Sequence, residues 1–269
     1  MTAILQRSYK SNNTNESRRP VAHPTVARSA PARADAVQGA LGDAALIAML
    51  GAVAGHRPDL VRRAVKRNRD GGARVILHQV QLDPFTADWA PTGATTCLDV
   101  SGDLPLSPYE DGANTAYADT AYCATLWPAY LEKAFAALDT TWSTVRRYAI
   151  PERGYTRLDT GMNVWETAEA LAQLTGARSG IRILHPTTAE LDIRYRLAHH
   201  CPVLIHTPPT TSPAPAPRHG LHPSHAYEIT SLRPDGSLQL RNPWGTDHPV
   251  LSITALTEIT GGVIITLAT

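Results

Sequence analysis

The chain has 269 residues, a formal charge of +1, and 43% hydrophobic against 18% charged residues. That balance fits a globular protein, excludes a wholly disordered one, and leaves no electrostatic case for nucleic acid or a membrane surface as partner. Three cysteines, Cys97, Cys123 and Cys201, cannot all pair and are too few for a disulfide scaffold, so a reducing, cytoplasmic setting is the expectation.

Residues 1–35 carry Arg7, Lys10, Arg18, Arg19, Arg28 and Arg33 against Glu16 and Asp35, among Ser, Asn, Pro and Ala. Nearly without large apolar side chains, this stretch cannot offset its own ordering entropy and reads as a disordered basic leader. Gln6 and Arg7 end the apolar start at once, so any delivery or secretion would proceed without a Sec-type signal peptide. The leader names no partner; its charge is compatible with attachment or delivery, as of a toxin or effector module.

Ala44–Ala54 is apolar on nearly every face, which predicts a helix buried in the interior with Asp43 as its N-cap. Eleven residues are too few to span a bilayer, which needs ~20. Pro58 and Asp59 open a shorter helix through Lys66, with a basic outer face. Arg74–Leu82 is β-branched and partly alternating, a strand, whereas residues 83–120, rich in Gly, Pro, Asp and Thr, are expected to be loops. Leu126–Leu138 (LWPAYLEKAFAAL) sets Leu126, Tyr130, Leu131, Ala134, Phe135 and Leu138 at helical spacing, an amphipathic helix. Thr167–Leu174 is a further helix, ended by Gly176. Five short strand-like runs follow: Ile181–Leu184, Val203–Thr207, His225–Ser231, Leu238–Asn242 and Val263–Leu267. Helices followed by strands predict an α+β protein in two lobes. The divisions are the leader 1–35, a helical lobe 36–176 and a β-rich lobe 177–269. Seven of the 21 prolines lie between Pro202 and Pro223, so TPPTTSPAPAP is expected to be an extended surface loop.

The most informative stretch is HAYEITSLRPDGSLQLRNPWG, residues 225–245. Pro234-Asp235-Gly236 between two alternating runs signals an antiparallel hairpin. A turn centred between Arg233 and Pro234 pairs Ile229 with Leu238, Tyr227 with Leu240, and His225 with Asn242. The last pair would hold its Cβ atoms roughly 4.5–5.5 Å apart. A slip of one residue would bury Gln239 and Arg241 instead, so the hydrophobic pattern opposes it. A histidine orientated by an asparagine amide has one ring nitrogen engaged and the other free for a nucleophile. Trp244 could cover that bond. Two polar residues satisfying each other at a sheet end fit the same pattern.

Three separated segments resemble the protease core of the calpain family, papain-like cysteine proteases. VQGALGDAALIAML (37–50) resembles the family's Gln-Gly…Gly-Asp-Cys-Trp segment. LWPAYLEKAFAAL (126–138) is similar to its Leu-Trp…Leu-Leu-Glu-Lys-Ala-Tyr helix, and SHAYEI (224–229) with LRNPWG (240–245) to its His and Asn elements. The resemblance implies a papain-like two-lobed α+β fold and a thiolate/His/Asn endopeptidase acting on protein or peptide substrates. It implies His225 as general base, Asn242 as its orienting residue, Gln38 as oxyanion-hole donor and Trp244 as shield. Ala44 stands at the nucleophile position, and Ala45 where many members have Trp.

At the start of a helix a thiolate would be stabilised by the dipole and free N–H groups. A methyl group forms no acyl-enzyme, so the chain as written is expected to be proteolytically dead. The persistence of Gln38, His225, Asn242 and Trp244 favours an engineered Cys-to-Ala change over natural decay to a pseudoprotease that acts as a binding module. Deamidation or transglutamination on the same triad is the other enzymatic reading. Cys97, Cys123 and Cys201 lack the helix-start setting and read as incidental thiols. His219, His222 and His225 form H-x2-H-x2-H, but Gly220 and Pro223 break any helix there and no metal is assigned. Animal calpains bind calcium in acidic loops of both halves; Asp99, Asp103, Glu110 and Asp111 are scattered here, so calcium is unsupported and no cofactor is expected.

Overall fold

The computed structural model describes residues 30–103, 118, 125–138, 154–209 and 219–268. Most of the leader, Glu110, Asp111, Cys123 and residues 210–217 of the proline-rich loop lie outside the described residues.

Helix α1 (Ala44–His56) is the expected core helix, with every residue from Ala44 to Ala54 buried. Lacking a polar face, it can only lie between other elements. Pro58 starts α2 (Pro58–Ala64), bent from α1 by 114°, and among the described residues no single helix is long and apolar enough to cross a membrane. Strands β1 (Val65–Arg67), β2 (Ala73–Leu82) and β3 (Trp89–Val100) form an antiparallel meander. β3 corrects the loop expectation for residues 83–120. Thr92–Thr95 are exposed and hydrophobic alternation gives no signal there; the strand is held by pairing on either side, Pro91 with Val80 and Thr95 with His78, across an irregularity where Gly93 takes φ 89°.

Helix α3 (Trp127–Ala137) forms as expected but is not amphipathic: Glu132 and Lys133 are buried with the apolar residues. The Lys133 ammonium donates to the Ser101 carbonyl at 2.8 Å and to Ser101 Oγ at 3.1 Å, and Glu132 accepts the Ala118 N–H at 2.5 Å. Chain beyond β3 thus covers the face that the sequence pattern left to solvent. Helix α4 (Tyr155–Asp159) precedes α5 (Val164–Thr175). α5 starts on a reciprocal cap between Asn163 and Glu166 and stops at Gly176 in the left-handed conformation.

The remaining elements are β4 (Ser179–Ile183), α6 (Ala189–Ala198), β5 (Val203–His206), β6 (Ala226–Leu232), β7 (Leu238–Arg241), β8 (Val250–Leu251), α7 (Ile253–Thr260) and β9 (Val263–Leu267). Among the described residues the strands make one antiparallel sheet in the order β1-β2-β3-β4-β9-β5-β6-β7-β8. The fold is therefore α+β, with the helical half supplying three strands of its own. β3 and β4 meet at a single pair, Trp89 with Ser179, reinforced by Arg182 donating to both carboxylate oxygens of Asp88 at 2.7 and 3.0 Å. Strand alternation splits the core in two. Leu204, Ala226 and Ile265 join the cluster around α1, while Val203, Ile205, Tyr227, Ile229 and Ile264 pack with Ile193 of α6 and Leu256 of α7.

Candidate active site

The β6–β7 hairpin pairs Ile229 with Leu240 and Glu228 with Arg241, with a bulge between Ile229 and Ser231. This corrects the expected register by two residues: the turn is centred on Asp235 rather than between Arg233 and Pro234, which puts Leu238 opposite Leu232 and displaces the partners by three, and the bulge takes one of the three back. Side chains alternate with a period of two, so an even displacement leaves each one on its own face. His225 and Asn242 end as diagonal neighbours, and the ring Nε2 lies 2.9 Å from Asn242 Oδ1.

The same Oδ1 accepts the main-chain N–H of Trp244 at 3.1 Å. A backbone N–H can only donate, so this atom is the amide oxygen and His225 Nε2 must donate to it as well. The imidazole therefore carries its proton on Nε2 and keeps a lone pair on Nδ1. The Trp244 indole lies 4.7 Å from the His225 ring and is 41% exposed. Tyr227 meets the same ring edge-on at 4.9 Å. Burial pushes the His225 pKa down, the bond to Asn242 works against this, and the charge of His222 adds to the lowering.

Thr207 is a site residue with no sequence signal, since 18 residues and the proline-rich loop separate it from His225. Its N–H donates to the His225 carbonyl at 2.8 Å, and its hydroxyl accepts the His225 N–H at 2.9 Å while donating to the His222 carbonyl at 2.6 Å. Thr207→Val keeps the shape and removes the hydroxyl from a buried place. The expected result is a loss of about 1–3 kcal/mol of stability, read by thermal unfolding, with Thr207→Ser losing less.

Gln38 donates its backbone N–H to the Pro243 carbonyl at 2.8 Å, which joins the segment leading into α1 to the chain just after Asn242. Its side-chain amide gives an N–H to the Leu41 carbonyl at 2.6 Å and keeps a second N–H. Gly245, at φ 80°, lies against Val37 so closely that a Cβ there would sit 3.2 Å from Val37 Cγ2. Ala44, 8% exposed, is the first residue of α1.

Asp43 holds the N-cap position, but the capping expectation is corrected: its side chain makes no cap bond, because its backbone (φ −98°, ψ 30°) is not extended. The carboxyl is 1% exposed instead, and burial together with the charge of Asp159 pushes its pKa up to about 8. Burial, then the charge of Asp43, likewise raises Glu132 well above the usual carboxylate range.

The sequence model of the calpain family cysteine proteases matches residues 5–249. The chain belongs to the calpain family. A search of curated proteins returned no match.

In this calpain-family chain the segment before Gln38 is also tied down. Arg33 Nε donates to Glu228 Oε1 at 2.7 Å, and Trp127 Nε1 donates to Asp35 at 2.9 Å, so these two residues of the expected leader are part of the fold. Arg241, next to Asn242, donates to the Ala36 carbonyl at 2.5 Å and crosses α1 at Gly51, where a Cβ would come within 2.7 Å of Nη1. Burial pushes Glu228 up to about 7 and His56, 3.6 Å from its carboxylate, down to about 4.

Cys201 is buried and its thiol is pushed up by that burial, the reverse of what a nucleophile requires; Cys97 is exposed on β3. His219 lies in a turn at φ 54°, His222 packs on Trp244, and His225 gives its Nε2 to Asn242. Asp99 is engaged by Arg74 at 2.9 and 3.1 Å, Asp103 gives its carbonyl to Lys133, and no group of three His, Cys, Asp or Glu among the described residues is arranged for a metal.

Proposed function

We propose that this chain is a calpain-like cysteine endopeptidase, papain-like in its two lobes, whose nucleophile position is occupied by Ala44. The observation that carries this reading is the 2.9 Å bond from His225 Nε2–H to Asn242 Oδ1, which leaves the Nδ1 lone pair for a thiol. Support also comes from the bond between Gln38 and Pro243 and from the packing of Ala226 in the cluster around α1. The substrate is a protein or peptide lying between the halves 36–176 and 177–269. The alanine is read as a single engineered substitution in an otherwise intact site.

With a thiol at position 44, Nδ1 takes the S–H proton, and the thiolate is held by the N–H groups that open α1. A protonated Asp43 adds no negative charge beside it. Attack on the peptide carbonyl forms the C–S bond and an oxyanion, held by the second amide N–H of Gln38 and the backbone N–H of residue 44. Each such donor contributes roughly 3–4 kcal/mol. The imidazolium returns its proton to the leaving amine as the C–N bond breaks. Nδ1 then deprotonates water, which opens the thioester and restores the thiol.

The test is the A44C chain with a peptidyl epoxide, followed by mass spectrometry. A single adduct at position 44 that disappears in A44C/H225Q supports the reading, and no adduct overturns it. On peptide substrates His225→Gln in A44C is expected to lower kcat on the order of 10⁶-fold, nearly as much as loss of the nucleophile itself. Glutamines modified without cleavage would make the chain a deamidase instead, and a folded A44C without any reaction would make it a binding module.

A further inference from the structure

His222 has no part in the reaction above, yet its main chain is held as firmly as that of His225. Its N–H donates to Tyr227 Oη at 2.8 Å, and its carbonyl accepts the Thr207 hydroxyl at 2.6 Å. Both partners are buried, and both also hold His225. The imidazole so fixed lies against the Trp244 indole, with centroids 4.4 Å apart and planes tilted by 55°, closer than His225 itself at 4.7 Å. Trp244 sits on a short turn, Asn242–Gly245, closed by one backbone bond of 3.1 Å. With 41% of its surface exposed, its own turn does little to fix the ring.

We propose that His222 is a positioning residue that braces the Trp244 indole over the His225–Asn242 hydrogen bond and so keeps water from the Nε2–H. This rests on the reading of His225 as the general base. Water at that bond would compete for both the donor and the acceptor, and the ring would lose the tautomer and orientation that expose Nδ1. The brace acts through the aromatic face, since the contact is ring to ring. Phenylalanine can therefore replace it, and alanine cannot. The other groups facing His225 keep their places in either variant: His206 of β5, Tyr227 and Asn242.

The test uses the ¹⁵N-labelled chain as it is, with Ala44 in place, and reads exchange of the His225 Nε2–H with water, assigned by its loss in His225→Gln. The expected result is a slowly exchanging signal in the parent, exchange at least about tenfold faster in His222→Ala, and parental exchange in His222→Phe. Thermal unfolding checks that each variant is folded. If His222→Ala is not, His222→Gln, which keeps bulk without an aromatic face, takes its place. In A44C, His222→Ala is expected to lower kcat about tenfold with little change in KM, inside the ~10²–10⁴-fold that a positioned acid–base contributes. Equal exchange in parent and folded His222→Ala overturns the brace even if A44C is active. An A44C chain inert toward every peptide overturns the protease reading while leaving the exchange result standing.

Discussion

The A44C chain is expected to hydrolyse peptide bonds on the order of 10⁶-fold faster than the parent, because the parts of a nucleophilic site act as a unit and removing the nucleophile forfeits nearly all of their joint effect. The substitution adds one sulfur atom at a position that already reaches the surface, with 8% of Ala44 exposed at the first turn of α1. The first turn supplies unpaired N–H groups and the positive end of the helix dipole, which lower a thiol pKa from its usual ~8.5. His225, neutral and with Nδ1 free, is in the state needed to take the proton. The measurement is the initial rate on an internally quenched peptide or unfolded protein for parent and A44C, with the thiol pKa read from the pH dependence of alkylation. A rise of less than about tenfold, with the A44C chain folded, overturns the assignment of position 44.

Asp43→Asn is expected to stabilise the protein most at alkaline pH. The carboxyl pKa rises from its ordinary 3.8 to about 8 on folding, so between these values the native state holds a proton that the unfolded state has released. Stability from this group is complete below pH 3.8 and is lost as pH climbs through about 8. Every tenfold change in proton affinity corresponds to about 1.4 kcal/mol, which puts the effect on the order of several kcal/mol. Asparagine has the same shape and no charge to release. Differential scanning calorimetry at pH 6 and pH 8.5 should show a large fall in the parent Tm and a smaller one in D43N. The residual slope belongs to Glu132, whose pKa moves in the same direction, and to Glu228, whose carboxyl moves up to about 7. His56 and His206 act on the acid side, because their pKa values fall to about 4, so stability is lost as pH drops below 6.5. Equal Tm changes in parent and D43N would show that Asp43 is ionised in the native protein.

Much of the architecture was legible because it depends on local pattern. The all-apolar run of α1 could only be a core helix, and β9 has the bounds that its apolar run implies. β3 was missed because its Thr92–Thr95 stretch is exposed and carries no alternation. α6 buries only Ala189 and Ile193, too few to mark a helical stripe along its length. The His225–Asn242 pair was legible despite a register off by two residues, since faces survive an even slip. Thr207 and His222 were not, because no periodicity connects residues that meet only through loops.

By itself, then, the order of residues determined many of the elements, the family and the candidate pair, because helical and strand periods and motif spacing are properties of neighbours along the chain. Only the tertiary structure decided which nitrogen of His225 donates to Asn242, how deeply Asp43 is buried, and which residues hold the main chain of His225. Those are matters of solvent exclusion and of which distant donor meets which acceptor, and both arise only once the chain has folded.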